Sequence, residues 1–403
     1  MVFCLPRLLP SWSSVTDMQR SSARILTTHC GSLPRPHDLL DLMKAKITGQ
    51  PNDVGTYHAR VRTAVAEVVR QQAECSIDII TDGEQSKPGF YAYVSERLGG
   101  FEARPGSRKG VFAAEVEAFP EYYQQYFSQA MLGATLVPMV PFVCTGPVFY
   151  RGQEEVARDI DNLKAAVNGT QAVEVFMPAV APSGVGKNEY YRTEEEYLYA
   201  VSDALRSEYQ AIVEAGFLVQ IDDPFLTELY SYSPLSAAGK RKTAEMYVQA
   251  LNHGLRGIPS QNVRYHTCYG INEGPRVHDA PLRDIIDLVL KVNAGAYSFE
   301  AANPRHEHEY HVWESVKLPD GKAIIPGVIT HASNIVEHPE FIAERIVRYA
   351  KLVGRGNVIA GVDCGFSSQA TYNPEIHPTV VWAKFRAMAE GARLASRQVG
   401  YAQ

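Results

Sequence analysis

Short runs of β-branched and other apolar residues alternate with amphipathic segments along most of the chain. The amphipathic segments carry apolar residues three or four positions apart, as at Val61, Val65 and Val68 and again at Ile342 and Ile346. This spacing is typical of a helix with one buried face. Alternation of such helices with short strands predicts an α/β fold with a mainly parallel sheet and helices outside it.

Nine apolar runs are candidates for the strands of this fold. About eight strand–helix units in a chain of this length fit a (β/α)8 barrel of the TIM type better than a doubly wound sheet. Because eight positions cannot hold nine strands, we expect one run, Val137–Cys144, to be an added hairpin strand. The candidate strands are Arg24–Thr28, Ile77–Thr81, Val137–Cys144, Ala172–Pro178, Phe217–Ile221, Val263–Cys268, Ala296–Glu300, Ile324–Thr330 and Asn357–Val362.

Two segments depart from the strand–helix pattern. Gly99–Ala134 is irregular and has a tyrosine-rich helical stretch near its end, which predicts an inserted lid above the barrel. Residues 1–23 start with a short apolar piece that Pro6 and Pro10 interrupt. We therefore expect a flexible tail, with a second start at Met18, in place of a secretory signal. The predicted organisation is this tail, residues 1–23, followed by one barrel domain, residues 24–403.

The composition restricts the classes of function. The chain has 403 residues, of which 45% are hydrophobic and 21% charged, and no apolar run is long enough to cross a bilayer. Its net charge of −6 favours neither nucleic acid nor an anionic membrane surface. The six cysteines are widely scattered, which predicts a reducing, cytoplasmic compartment. We expect small-molecule substrates as partners, and the sequence does not indicate an oligomeric state.

His266 and Cys268 form the strongest local signal, in the motif YHTCYG at the end of a candidate strand. Because strand side chains alternate between faces, these two point the same way. At the C-terminal end of a barrel strand that direction can lead into the mouth, where barrel active sites lie. An imidazole and a thiolate so placed suit zinc. A core histidine beside a buried thiol would give the same short motif.

Two further strand ends favour the metal interpretation. Glu300 closes the next candidate strand, and Cys364, followed by Gly365, comes directly after the last one. Ligands from three separate strands converge at one mouth only if the sheet closes into a barrel, so the metal site and the barrel support each other. We therefore predict a zinc site at His266, Cys268, Glu300 and Cys364.

A competing group of ligand types lies in Pro304–His311, with the sequence PRHEHEYH. This stretch is polar and has no apolar pattern that would hold it rigid. We expect a solvated or substrate-contacting loop there and no metal site.

Seven motifs occur in order along residues 25–394 and together resemble those of a known family. The chain resembles the C-terminal catalytic barrel of cobalamin-independent methionine synthase and its shorter single-barrel relatives, such as epoxyalkane:coenzyme M transferase. The resemblance implies zinc bound by the same four ligands. The motifs are Thr28–Pro34 (THCGSLP), Thr81–Glu84 (TDGE), Gln220–Pro224 (QIDDP), His266 with Cys268, Glu300, Pro326–Ser333 (PGVITHAS) and Asp363–Gly365 (DCG).

The resemblance also implies roles for residues that do not bind metal. Ser32, Glu84 and Asp222 would face the substrate, His331 would be a catalytic acid, and Asp222 would also be a catalytic residue. In the synthases the counterpart of Glu84 holds the amino group of the amino-acid thiol. The structural alternatives are that Glu84 caps a turn, that Asp222 or Asp223 caps a helix, and that His331 is a core histidine. The role of Asp223 is left open.

The 22 tyrosines are grouped in residues 121–127, 189–199 and 229–232. They either pack helices against the barrel or form an aromatic-walled mouth for a larger apolar or aromatic substrate. Cys30 is either an additional residue of that mouth or a small buried side chain.

These observations predict a zinc-dependent transferase that activates homocysteine or another small thiol for alkylation by a methyl donor or an epoxide. The second barrel that helps full-length synthases grip folate has no counterpart in this sequence, which leaves the donor open. The alternative is a thiol-independent isomerase that opens an epoxide in specialised metabolism. A third interpretation is a zinc-storage or regulatory relative without activity.

Overall fold

Parallel strands form the centre of the structure, a computed structural model that describes residues 18–50, 53–104, 112–129, 135–136, 141–270 and 273–402. In the described ranges the strands are β1 (Leu26–Thr27), β2 (Ile79–Ile80), β3 (Leu98–Ala103), β4 (Phe142–Tyr150), β5 (Glu174–Val180), β6 (Lys187–Asn188), β7 (Leu218–Asp223), β8 (Val263–Thr267), β9 (Ala296–Phe299), β10 (Ala323–Ile329) and β11 (Ile359–Val362).

Eight of these strands form one sheet in the order β1-β11-β10-β9-β8-β7-β5-β2. Every neighbouring pair in it is parallel. Each strand overlaps a run predicted from the sequence, and the predicted (β/α)8 barrel of the TIM type is confirmed. The helices are α1 (His37–Ile47), α2 (Val54–Glu74), α3 (Val94–Arg97), α4 (Ala113–Ala118), α5 (Pro120–Gln129), α6 (Gln153–Val167), α7 (Glu194–Glu214), α8 (Phe225–Tyr232), α9 (Ala237–Gly254), α10 (Leu282–Val289), α11 (Pro339–Val353) and α12 (Pro378–Gln398).

Side chains join the two strands at the ends of this order, β1 and β2. The Thr27 amide and hydroxyl both donate to Oδ2 of Asp78, at 2.9 and 3.1 Å. The Asp78 amide donates to the Thr27 hydroxyl over 3.1 Å, and the Thr28 hydroxyl donates to the Ile79 carbonyl over 3.1 Å. Arg24 pairs with the same Asp78 carboxylate at 2.5 Å. These bonds close the barrel where β1 and β2 share no strand ladder.

The N-terminal ends of the strands are filled by a small apolar cluster that includes Leu26, Ile79 and Phe176. Met18 belongs to this cluster and is 8% exposed. The Gln19 amide donates to Glu174 over 3.1 Å. Residues 18–20 therefore pack on the barrel, although the predicted tail extends to residue 23; residues 1–17 lie outside the described ranges.

The ninth candidate strand lies outside the barrel, as predicted. It appears as β4, which pairs with β3 and β6 in a separate three-stranded sheet. Part of the predicted run, residues 137–140, lies outside the described ranges, and the observed strand continues to Tyr150.

The predicted lid corresponds to β3, α4 and α5, with residues 105–111 and 130–134 outside the described ranges. Tyr122 of α5 donates to the Glu273 carbonyl over 3.2 Å, and Tyr126 donates to Glu375. These contacts hold α5 against the segments that follow β8 and β11, at the C-terminal end of the barrel. Among the described residues, no helix is long and apolar enough to span a bilayer.

Candidate active site

The sulfur atoms of Cys268 and Cys364 lie 3.1 Å apart at the C-terminal ends of β8 and β11. One ring nitrogen of His266 completes a group whose ligand atoms all lie within 4.8 Å of one another. The two strands are separated in the sheet by β9 and β10, so only the curvature of the barrel brings their ends together. The predicted convergence of these three residues is thus observed.

The His266 ring is oriented by a neighbour on the next strand. Its Nδ1 lies 3.1 Å from the Ser298 hydroxyl, because the register of β8 and β9 places the two residues side by side. Its Nε2 is buried without a hydrogen-bond partner among the described residues. Burial, with a smaller contribution from the charge of Arg264, lowers the pKa of His266 to about 3. The ring is therefore neutral, the form that binds a metal.

Glu300 directly follows β9 and is 1% exposed. Its Oε2 lies 2.8 Å from Nη2 of Arg276 and accepts a 2.8 Å hydrogen bond from Asn303. Its Oε1 has no hydrogen-bond partner in the described ranges. Burial raises the pKa of Glu300 to about 7. Glu300, His331 and Cys364 form a second group of ligand atoms within 4.8 Å of one another, which shares Cys364 with the first.

Asp363 fixes the loop that carries Glu300. Its Oδ1 accepts 2.7 Å hydrogen bonds from the amides of Ala301 and Ala302, and its Oδ2 accepts one of 2.9 Å from the Asn303 amide. The residue before Cys364 thereby holds the residues after Glu300, and the loops that carry these two candidate ligands become one hydrogen-bonded unit.

A cavity of about 30 Å³ opens beside the two sulfurs. It brings together six residues that the sequence singled out for metal or substrate, and it adds six others. The lining residues are Cys30, Ser32, Glu84, Phe90, Asp222, Pro224, His266, Cys268, Gly270, Cys364, Gly365 and Ser368.

Glu84 reaches this cavity from a strained turn. Its φ is 56°, and its amide donates to Oδ1 of Asp82 over 2.9 Å. Gly31 is required beside it, because a Cβ there would lie 2.9 Å from Oε1 of Glu84 and 2.6 Å from Pro178. Oε2 of Glu84 is buried without a hydrogen-bond partner among the described residues. The carboxylate is therefore aimed at the cavity and does not cap the turn.

Asp222 lines the same cavity as Glu84 and is in register with His266 across β7 and β8. Gln220 donates to its Oδ1 over 2.8 Å. Burial, and then the nearby charge of Glu84, raise the pKa of Asp222 well above its usual range. Burial also raises the pKa of Glu84, although Lys87 and Arg35 oppose this shift. Two close carboxyl groups of this kind attract a cation or share a proton.

Asp223, whose role the sequence left open, has a structural task. Its Oδ1 accepts from the amides of Phe225 and Leu226 at 3.0 and 3.2 Å, and its Oδ2 accepts 2.8 Å from the Tyr265 hydroxyl. It therefore stabilises the start of α8.

Ser32 and Gly365 are packed against each other at the cavity wall. A Cβ at Gly365 would lie 2.0 Å from the Ser32 hydroxyl, so only glycine fits after Cys364. The Ser32 hydroxyl lies 3.2 Å from that of Ser368, and both residues line the cavity.

His331 is 2% exposed, and neither ring nitrogen has a hydrogen-bond partner among the described residues. Burial, followed by the charges of Arg276 and His266, lowers its pKa well below the ordinary value. A core histidine would normally be hydrogen-bonded. The unpartnered ring beside Glu300 and Cys364 thus fits an active-site role better than a structural one.

The Pro304–His311 stretch is more ordered than the sequence suggested. His308 and His311 are exposed, as expected for a solvated loop. His306 is instead buried, with Nδ1 2.7 Å from Glu309 and Nε2 3.1 Å from Asp279. The stretch contains no group of close metal ligands in the described structure.

The tyrosines of α5 pack mainly against one another and against Phe112 and Tyr232. Phe90 is the aromatic residue among the lining residues of the cavity. Packing of helices is therefore the better interpretation of the α5 tyrosines. Cys30 does line the cavity, where it donates to the Val362 carbonyl over 3.0 Å and lies 3.8 Å from Nδ1 of His266.

The family model for the catalytic domain of cobalamin-independent synthases matches residues 25–114 and 179–384. The chain belongs to the cobalamin-independent methionine synthase family. The unmatched residues 115–178 include α5, β4, α6 and most of β5, so they contain part of the predicted lid, the added strand and part of the barrel. As a family member, the chain is an enzyme of the methionine synthase type.

Individual relatives agree with this assignment. The methionine synthase of Sulfolobus acidocaldarius is 26% identical over 270 residues, which cover 66% of this chain and 68% of the relative. That of Saccharolobus solfataricus is 22% identical over 378 residues, covering 93% and 95%. A B12-independent methionine synthase structure from a Shewanella species, in complex with selenomethionine, has a TM-score of 0.68 at 18% identity and covers 93% of this chain and 99% of its own. A putative synthase from Listeria monocytogenes has a TM-score of 0.64 at 19% identity, covering 92% and 98%. The two structures share the barrel fold.

Proposed function

We propose that this protein is a zinc-dependent transferase that activates a small thiol, such as homocysteine, for alkylation by a methyl donor or an epoxide. The observation that carries the proposal is the pair of sulfurs of Cys268 and Cys364, 3.1 Å apart. Nε2 of His266 and Oε1 of Glu300 are both buried without hydrogen-bond partners among the described residues. Two sulfurs, an imidazole and a carboxylate oxygen match the donor set that zinc prefers.

Zinc at these residues would lower the pKa of an incoming thiol, so that it reacts as a thiolate. The protein supplies the remaining functions. Glu84 and Asp222 provide carboxylates at the cavity wall, which fit the ammonium group of an amino-acid thiol. Ser32 provides a hydroxyl at the same wall.

We assign the proton transfer to His331. Its two ring nitrogens without hydrogen-bond partners among the described residues allow it to take the proton that the thiol loses. The sulfur then attacks the alkyl carbon, and the bond from that carbon to its leaving atom breaks. The leaving atom receives the proton from His331, so the ring returns to its neutral state. With an epoxide donor, the opening oxygen is the leaving atom.

Metal content and thiol consumption test the proposal together. Purified enzyme with zinc should consume homocysteine or another small thiol when methylfolate or an epoxide is supplied. Cys364→Ala and His266→Ala should each lose most of the zinc and the activity, with the barrel folded by circular dichroism. Cys144→Ala is the matched control, because this buried thiol lies on β4 and outside the cavity. Undiminished zinc in both ligand variants would refute the metal site, and a zinc enzyme that consumes no thiol would favour storage or regulation.

The alternative is a reaction of a single substrate at the cavity beside the two sulfurs. In that reaction the same site would open and rearrange an epoxide without a thiol. A product equal in mass to its substrate would identify this isomerase, whereas a transferase yields a thioether. The place of either reaction in specialised metabolism, and a cytoplasmic location, stay predictions of the sequence.

A further inference from the structure

Arg276 contacts one oxygen of the Glu300 carboxylate, Oε2. Its Nη2 lies 2.8 Å from Oε2, and Asn303 donates to the same Oε2 over 2.8 Å. Oε1 is buried without a hydrogen-bond partner in the described structure. Glu300 therefore has one oxygen held by protein and one available to a ligand sphere.

The guanidinium is fixed in this position from its other side. Nε of Arg276 donates to Asp279 over 2.7 Å, and Asp279 also contacts His306. Arg276 is 3% exposed and has a φ of 56°, in the left-handed region. A non-glycine residue adopts that conformation only where its surroundings enforce it. The burial and contacts of the side chain supply such enforcement.

The charge of Arg276 matters because Glu300 is fully enclosed. Zinc with two thiolates and one carboxylate would carry a net charge of −1, and the guanidinium beside Glu300, which also pairs with Asp279, would offset part of it. If a substrate thiolate replaces the carboxylate, Glu300 becomes a buried carboxylate without its metal bond. Such an ion is strongly destabilised unless a cation and hydrogen-bond donors remain beside it. Arg276 and Asn303 are already in contact with it.

We propose that Arg276, supported by Asn303, is a positioning residue for Glu300. It stabilises the Glu300 carboxylate both when the carboxylate binds the metal and when a substrate thiol has displaced it, and so makes room for that thiol. This inference rests on the proposed function. It concerns a residue outside every motif that linked the sequence to the family. In this proposal Arg276 determines how tightly the enzyme binds the thiol, whereas the four ligands determine how tightly it binds the metal.

Cobalt(II)-substituted enzyme makes the two affinities separately measurable, because thiolate binding to cobalt changes the visible absorption. L-homocysteine is titrated into wild type, Arg276→Gln, Arg276→Lys and Asn303→Ala, and metal content is measured in each. We expect Arg276→Gln to weaken thiol binding at least tenfold and Asn303→Ala several-fold, with one metal retained per chain. Arg276→Lys, which keeps the charge, should stay within about threefold of wild type. Arg305→Gln is the control, since Arg305 is exposed and donates to the Val277 carbonyl.

Two results would overturn the inference. One is unchanged thiol affinity in a folded Arg276→Gln, or in Asn303→Ala if the first variant does not fold. The other is loss of metal from Arg276→Gln with the fold intact, which would make Arg276 part of the resting metal site. Absence of any thiol-dependent spectral change in wild type would instead refute the proposed function, so the two failures are distinguishable.

Discussion

At the scale of single residues, the site depends on side chains that contact the proposed metal ligands and hold them in place. Ser298 is the clearest case, because its hydroxyl contacts Nδ1 of His266 and leaves Nε2 for the cavity. Such contacts fix the orientation of the ring and raise its basicity as a metal ligand.

We therefore expect Ser298→Ala to weaken zinc binding about 10–100-fold, without loss of the barrel. Competition with a chromophoric chelator measures this affinity directly. Ser368→Ala is a matched control, since its hydroxyl lines the same cavity but contacts Ser32. Equal zinc affinity in Ser298→Ala and wild type would show that the His266 ring needs no support from β9.

His331→Ala separates proton transfer from metal binding. The ring lies within 4.8 Å of ligand atoms of Glu300 and Cys364, so the structure permits either role. We expect the variant to keep its zinc and to lose rate by about 10²–10⁴-fold, the usual contribution of a positioned proton-transfer group. Elemental analysis with steady-state kinetics decides; zinc loss would identify His331 as a ligand instead.

The sequence indicated the candidate ligands at strand ends. It did not indicate the residues that contact those ligands from other loops and strands. His266, Cys268, Glu300 and Cys364 were predictable because parallel strands end at one face of a barrel. Arg276 was not, since its loop has no periodicity and its conformation is left-handed. Ser298 could have been suspected only from the register of β8 and β9, which depends on the folded sheet.

At the scale of elements, the barrel depends on a joint between β1 and β2, by which we mean the side-chain hydrogen bonds and the ion pair that connect these two strands. β1 and β2 are each two residues long; each pairs with its other neighbour, but the two share no ladder with each other. The Asp78 carboxylate takes the place of that ladder by accepting from Thr27 and Arg24.

Asp78→Ala should destabilise the protein by about 2–4 kcal/mol, because it leaves a buried amide and a hydroxyl without their acceptor and removes an ion pair. Urea unfolding followed by circular dichroism measures the change. Asp38→Ala is the control: Asp38 also pairs with an arginine, Arg60, but its side chain is 66% exposed, so we expect a change below about 1 kcal/mol. A similar small effect for both variants would argue against the joint.

The elements also show where periodicity is informative. Long amphipathic helices such as α2 and α11 lie where the spacing of apolar residues placed them. The sequence has nine strand-like runs, but a (β/α)8 barrel has eight strand positions. The prediction that one run lies outside the barrel is confirmed by β4. The exact strand ends were less predictable, because they depend on pairing with neighbours and not on the residues alone.

At the scale of the whole molecule, a buried chain of alternating charges starts at Glu300, one of the proposed metal ligands. Glu300, Arg276, Asp279, His306 and Glu309 follow one another in contact. Burial lowers the pKa of His306, but its hydrogen bonds to Asp279 and Glu309 outweigh this effect, and the pKa rises to about 9. The imidazolium is therefore part of the folded structure at neutral pH.

This shift predicts how stability depends on pH. A histidine with a pKa of about 9 when folded and about 6.5 when unfolded contributes its full stabilisation below pH 6.5. The contribution is lost as pH rises through 9, and we expect its size to be on the order of 1–3 kcal/mol. Urea unfolding from pH 6 to 10 should show this loss in wild type and a flatter dependence in His306→Gln. His308→Gln, at an exposed position, should behave as wild type; the same slope in His306→Gln would exclude His306 as the cause.

The proposed ligands all lie in the second half of the chain, and Cys364 follows Cys268 by almost a hundred positions. During synthesis, His266 and Cys268 leave the ribosome well before Cys364 has been translated. A partly made chain offers only an incomplete donor set to passing ions. If zinc binds here as proposed, all four ligands can hold it together only after translation has passed β11.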